Sequence, residues 1–266
     1  MFEFLKKKSK HAGPLLRVTD SNISFKFKEA FNRLTVNLMY SISKKGTKKV
    51  LFTSSSSGEG KSMDSYNVAA TLAQSGKKVI LVDLDLRKPV QHKYSKLIKD
   101  KGIVDILCGL IPVSEAIKRD EAVGMDVITA GRNAVNPLKL FTSDFLPEMI
   151  QELENMYDWI IIDTPPIGVV SDANMIVPYT DGVVVVVDQK ETRYPQVEEV
   201  LNSLQLAGAN IVGTVLNNSN MDSDSGAYRR KYYGYHYYSG YGESESSESP
   251  ATINSDVSDS DVEKAD

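Results

Sequence analysis

Val50-Leu51-Phe52-Thr53-Ser54-Ser55-Ser56-Ser57-Gly58-Glu59-Gly60-Lys61-Ser62 decides how the rest of this chain is read. An apolar run gives way to four serines and a Gly-Glu-Gly-Lys-Ser turn, after which helical patterning begins. With Ser55 standing where the first glycine of G-x-x-x-x-G-K-[ST] belongs, this is a phosphate loop between a strand and a helix. Small residues let successive backbone N–H groups turn inward around phosphate oxygens, and the following helix presents its positive end to the same anion. Ser57, Gly58, Glu59, Gly60, Lys61, Ser62 and Met63 are therefore the expected ATP-binding residues. Lys61 would neutralise charge between the β- and γ-phosphates, and the Ser62 hydroxyl would ligand Mg²⁺, a cation that takes oxygen donors.

Outward from the loop, apolar runs bounded by turn residues alternate with longer amphipathic stretches. Strands are expected at Lys49 to Thr53, Val79 to Asp83, Asp126 to Thr129, Trp159 to Asp163, Gly182 to Val187 and Ile211 to Leu216. Helices are expected at about Phe25 to Tyr40, Lys61 to Ser75, Asp144 to Met156 and Gln196 to Ala207. Such alternation predicts an α/β fold with a mostly parallel central sheet and helices on both faces, its ligand at the carboxyl ends of the strands.

Two of these strands end in carboxylates. Val79-Ile80-Leu81-Val82-Asp83-Leu84-Asp85-Leu86-Arg87-Lys88-Pro89 supplies Asp83 and Asp85, which strand alternation would place on one face. Trp159-Ile160-Ile161-Ile162-Asp163-Thr164-Pro165-Pro166 supplies Asp163, at a position resembling Walker B. Asp163 is the expected second-shell magnesium residue, Asp83 a further metal contact and the candidate general base, and Asp85 an orienting group. The competing reading makes Asp83 or Asp85 the N-cap of a helix after Pro89.

Composition bounds what else the chain does. Its 266 residues carry a formal charge of -4, one cysteine (Cys108), and three histidines (His11, His92, His236) without metal-ligand spacing. Neither a disulfide framework nor a zinc site is expected. No apolar run reaches the roughly 18 residues of a membrane span, and the start MFEFLKKKSK has no apolar core of a secretory signal. Residues 242–266 hold eight acids and one lysine, a net of -7, which leaves +3 for the rest. The reading is a basic N-terminus at 1–23, a phosphate-loop domain at 24–218, a tyrosine-rich cluster at 219–241 and a disordered acidic tail at 242–266. The cluster holds Tyr228, Tyr232, Tyr233, Tyr235, Tyr237, Tyr238 and Tyr241. Its simpler reading is an aromatic arm that adheres to partners, although the adjoining acidic run would repel nucleic acid.

As a set, SSSSGEGKS (Ser54 to Ser62), VILVDLDLRKP (Val79 to Pro89), GIVDILCG (Gly102 to Gly109), NPLKL (Asn136 to Leu140), WIIIDTPP (Trp159 to Pro166) and the tyrosine cluster resemble the bacterial tyrosine kinases of capsule and exopolysaccharide operons, in the form whose kinase domain is a separate cytosolic polypeptide. The resemblance implies an ATP- and Mg²⁺-dependent kinase that phosphorylates its own tyrosine cluster between subunits and regulates polysaccharide synthesis and export. It implies recruitment to the inner face of the plasma membrane by a transmembrane co-polymerase-like adaptor with an activating cytosolic tail, and reversal by a tyrosine phosphatase. There are departures. Ser57 and Met63 stand where the family has Pro and Thr, and Asn32 and Thr35 replace two arginines of an E-x-x-R-x-x-R helix pattern that begins at Glu29 and supports ring assembly. The ring is therefore in question, and a nucleotide switch or a silent scaffold of the same fold stays open beside the kinase.

Overall fold

The computed structural model describes residues 15–219. One seven-stranded sheet runs in the order β3-β4-β2-β5-β1-β6-β7. The strands are β1 Lys48–Ser54, β2 Val79–Asp83, β3 Lys118–Asp120, β4 Met125–Ile128, β5 Trp159–Asp163, β6 Gly182–Asp188 and β7 Ile211–Asn217. All pairs are parallel except β3 with β4. The helices are α1 Phe25–Ser41, α2 Lys61–Gln74, α3 Gln91–Tyr94, α4 Ile103–Leu107, α5 Val113–Ala116, α6 Pro137–Phe141, α7 Phe145–Glu154, α8 Asp172–Ile176 and α9 Tyr194–Leu206.

The α/β reading of the sequence agrees with this sheet. Alternate residues of the central strands enter opposite cores, as the two-residue period of a strand requires. Leu51, Ile80, Val82, Ile160, Ile162, Val183 and Val185 face one core with α4, α7 and α9. Val50, Phe52, Val79, Leu81, Ile161, Val184 and Val186 face the other with α1 and α2. Both faces are covered, so the strands read as uninterrupted apolar runs.

Two differences have physical reasons. The sequence reading omits β3, Lys118-Arg119-Asp120, because a short antiparallel edge strand built from three charged residues carries no apolar period. It also extends the strand alternation through Asp85, whereas β2 ends at Asp83 and Asp85 lies in the following loop.

Helix α1 is capped by the Ser24 hydroxyl, which accepts from Phe27 N–H at 3.2 Å, and it packs against α2. Its buried stripe is Phe31, Thr35 and Leu38. Asn32 is exposed and donates to Glu29 Oε2 at 3.3 Å. Asn32 and Thr35 therefore do not share an outward face.

Candidate functional site

Strand β1 delivers the chain to the carboxyl edge of the sheet, where residues 55–60 turn into α2. Gly58 and Gly60 have φ near +98° and +99°, a backbone region that L side chains rarely adopt. A Cβ on Gly60 would also lie 2.3 Å from Asn217 Nδ2. Ser57 and Gly58 are exposed at the tip, Met63 is half-buried, and Glu59 folds inward. The Glu59 carboxylate accepts from the Ser55 hydroxyl at 2.6 Å, from Ser56 N–H at 2.9 Å and from the Thr192 hydroxyl. Asn217 Nδ2 donates to Glu59 O and to Asp64 Oδ2, each at 2.9 Å. The loop is thus braced from the ends of β6 and β7 as well as from within.

Lys61 is the first residue of α2, and its Nζ lies 3.0 Å from Ser62 Oγ, 2.9 Å from Asp85 Oδ2 and 3.3 Å from Asp163 Oδ1. Burial opposes its charge, but the pull of Asp163 and Asp85 outweighs burial and raises the ammonium pKa. Asp83 is fully buried and sits in register beside Asp163. Burial, then repulsion from Asp163, pushes its pKa well above the usual carboxylate range. Burial also raises Asp163, against the opposing pull of Lys61. Asp64, on the first turn of α2, is pushed up to about 8, chiefly by burial. One cation here faces a crowd of acids, and burial together with mutual repulsion raises the pKa values of Asp83 and Asp163.

Each oxygen of Asp83 accepts one backbone bond: Oδ1 from Asp85 N–H at 3.3 Å and Oδ2 from Gln91 N–H at 3.1 Å. Gln91 opens α3, so Asp83 does take part in holding that helix start. Asp85 Oδ1 accepts from Lys88 N–H at 2.9 Å, closing a turn. The N-cap of α3 is Val90, so neither Asp83 nor Asp85 is the N-cap that the competing reading expected; Asp83 holds the helix start from the end of β2. Lys61, Ser62, Asp83, Asp85 and Asp163 do converge. The seven cluster tyrosines and the acidic tail lie outside the described residues.

The donor set suits a hard cation. Ser62 offers a hydroxyl and Asp83, Asp85 and Asp163 offer carboxylates, while no group of three or more His, Cys, Asp or Glu side chains among the described residues forms a closed metal cage. Mg²⁺ needs no such cage, because it binds through one or two protein oxygens together with phosphates and waters. Gln91 Oε1 and Asp64 Oδ1 are buried oxygens without a partner, so polar capacity remains at this edge.

Comparison with known proteins bears on what this arrangement serves. A family described as AAA domain matches residues 47–211. The putative tyrosine-protein kinase CapB of Staphylococcus aureus is 35% identical over 206 residues, covering 77% of this chain and 90% of that protein. The kinase domain of the Escherichia coli tyrosine kinase ETK superposes with a TM-score of 0.69 at 29% identity, over 71% of this chain and 74% of that one. The chimerical protein CapA2B2 superposes with a TM-score of 0.67 at 32% identity, over 71% and 83%. The chain belongs to the bacterial tyrosine-protein kinase family.

Within this bacterial tyrosine kinase, several groups at the site have no sequence signal of their own. Gln91 and Asp64 read as ordinary polar residues of short or amphipathic segments, yet both are buried against the acids. Asn217 could have been suspected, since it ends a strand at the ligand-binding edge. Arg87 forms a two-point pair with Asp172, Nε to Oδ2 at 2.7 Å and Nη2 to Oδ1 at 2.9 Å, and so ties the loop after β2 to α8.

Proposed function

We propose that this chain is an ATP-dependent protein-tyrosine kinase that phosphorylates Tyr228, Tyr232, Tyr233, Tyr235, Tyr237, Tyr238 and Tyr241, passing the γ-phosphoryl group between subunits. The observation that carries this reading is the Lys61 ammonium held within 3.3 Å of Asp85 and Asp163 at the start of a 14-residue helix, behind a loop whose backbone turns on two positive-φ glycines. ATP is the substrate in this reading and Mg²⁺ its companion. The metal, when bound, supplies positive charge to the phosphates, with the Ser62 hydroxyl and Asp163 holding its shell and Asp83 behind them.

Lys61 leaves its carboxylate partners for the phosphates and there offsets charge that develops during transfer. Its departure frees Asp85 Oδ2, whereas both Asp83 oxygens keep their backbone partners. A tyrosine hydroxyl has a pKa near 10, so its proton needs an acceptor as the oxygen attacks. The sequence reading gave that role to Asp83. The freed Oδ2 supports Asp85 instead, with Asp83 as the buried neighbour that sets its field.

The capsule link and the membrane-bound adaptor rest on the resemblance of the motifs to the capsule-operon kinases, and the similarity to the putative tyrosine-protein kinase CapB and to the chimerical protein CapA2B2 supports them. Among the described residues no helix is long and apolar enough to cross a membrane. A phosphatase that resets the tyrosines and assembly with further copies complete the reading. The test is incubation of the pure protein with Mg·ATP and the adaptor's cytosolic tail, read by phosphotyrosine blotting and mass spectrometry. Modification of the cluster supports the kinase; nucleotide turnover without phosphotyrosine overturns it in favour of a switch.

A further inference from the structure

Gln91 lies outside every motif that the sequence offered, yet its side chain is completely buried at the centre of the site. Its Nε2 lies 3.0 Å from Ser62 O, 3.0 Å from Ser65 Oγ and 2.8 Å from Asp163 Oδ2, three acceptors that share its two N–H groups. Its backbone N–H donates to Asp83 Oδ2 at 3.1 Å, and its carbonyl accepts from the Ser95 hydroxyl at 2.8 Å. One residue thus bonds the acid that ends β2, the acid that ends β5 and the first turn of α2.

The orientation of the carboxamide is chemically determined. A carbonyl and a carboxylate only accept, so the nitrogen must face Ser62 O and Asp163. The opposite end, Gln91 Oε1, is buried without a partner. A buried polar group kept only for stability is normally satisfied at both ends. Here the donor end is used fully and the acceptor end has no protein partner, so what the side chain contributes lies on its nitrogen side.

We propose that Gln91 is a positioning residue of the phosphoryl-transfer site: it ties the Asp163 carboxylate to the first turn of α2, so that this carboxylate and the Ser62 hydroxyl keep one fixed spacing for the metal shell. Asp163 Oδ1 is then left to Lys61 while Oδ2 is fixed by Gln91, which divides the two oxygens between a mobile cation and a rigid amide. The inference rests on the kinase reading for its role in catalysis, but the clamp itself is a statement about Mg²⁺ and nucleotide.

Gln91→Met keeps side-chain length and loses the donor. Outer-shell partners typically govern metal affinity by 10- to 100-fold. The expected result is a fluorescent ADP affinity within about twofold of the parent protein without Mg²⁺, and a rise of about tenfold or more in the Mg²⁺ concentration that tightens binding. Phosphotyrosine formation should show the same rise in its Mg²⁺ requirement, with KM for a tyrosine peptide unchanged. An unchanged Mg²⁺ requirement overturns the proposal, and so does a parallel loss of affinity with and without the metal, which would mark Gln91 as purely structural. Should Gln91→Met fail to fold, Gln91→Asn, whose amide is one methylene short of Asp163, must show the same separation for the proposal to stand. If the parent protein makes no phosphotyrosine, the kinase reading fails while the nucleotide measurement still decides on the clamp.

Discussion

Asp83 and Asp163 stand opposite each other as register partners on adjacent parallel strands, both fully buried, and Lys61 bonds to Asp163 but not to Asp83. Two carboxylates so placed do not both carry charge easily. Burial and the neighbouring Asp163 charge raise Asp83, the one without a cationic bond, well above the usual carboxylate range, and Asp163 is raised against the pull of Lys61.

Asp83→Asn turns its amide NH2 onto one of two backbone donors, Asp85 N–H or Gln91 N–H, so the melting temperature should fall modestly even though a buried acid is removed. Asp85→Asn removes the bond to Lys61 and the proposed proton acceptor, and it should slow phosphotyrosine formation by about 10² to 10⁴. Initial rates of both variants beside their melting temperatures check the assignment. A larger rate loss in Asp83→Asn would return the base to that residue.

Lys61→Met leaves Asp85 and Asp163 without their ammonium partner. Breaking a buried ion pair from one side costs about 3–5 kcal/mol. Denaturation at pH 8 should show a loss of that order and at pH 5 a smaller one, because burial raises the pKa of Asp163 and, without Lys61, nothing opposes its uptake of a proton. Phosphotyrosine should vanish at both pH values.

Asp64 gives a pH signature of its own. Its folded pKa of about 8 lies above the value near 3.9 of an unfolded aspartate. The folded state therefore binds the proton more tightly, and stability falls as pH rises through this window, by about 1.4 kcal/mol per unit from this group. Asp64→Asn keeps an acceptor for Asn217 and cannot ionise. Its melting temperature should gain on the parent protein steadily between pH 5 and 8 and level off above; parallel curves would show that Asp64 is ionised throughout.

Thr192→Val removes the hydroxyl that reaches Glu59 and accepts from Asp188 N–H at 3.1 Å. A lost hydrogen bond to a charged group is worth about 1.5–3 kcal/mol. With the phosphate loop less braced, ADP should dissociate several-fold faster in stopped-flow measurements, while α2 and the sheet stay intact by circular dichroism.

What the sequence made legible was governed by local pattern. Trp159 to Asp163 and Val79 to Asp83 announced themselves because a strand covered on both faces is apolar throughout, and the acid that ends each run marks the edge of the core. The phosphate loop was legible because its glycines and lysine are needed at fixed spacing. Gln91, Asp64 and Asn217 were not, because their significance comes from segments far apart in the chain, such as the 158 positions between Glu59 and Asn217. Asp85 was misplaced onto the strand because the sequence shows where polarity begins but not where the ladder stops. The last bond of that ladder is Leu84 N–H to Asp163 O at 2.8 Å.

The two ends of the sheet are unlike towards another polypeptide. β3 offers three residues, each with a charged side chain, whereas β7 offers seven, with Leu216 51% exposed and, among the described residues, no strand on its outer side. A long, half-apolar edge is a template for unwanted strand addition, and the register shift between Val183 and Val184 is the one irregularity that bends it away from flatness. Among the described residues, the strand that borders the phosphate loop through Asn217 is therefore also the edge best suited to strand addition at high protein concentration.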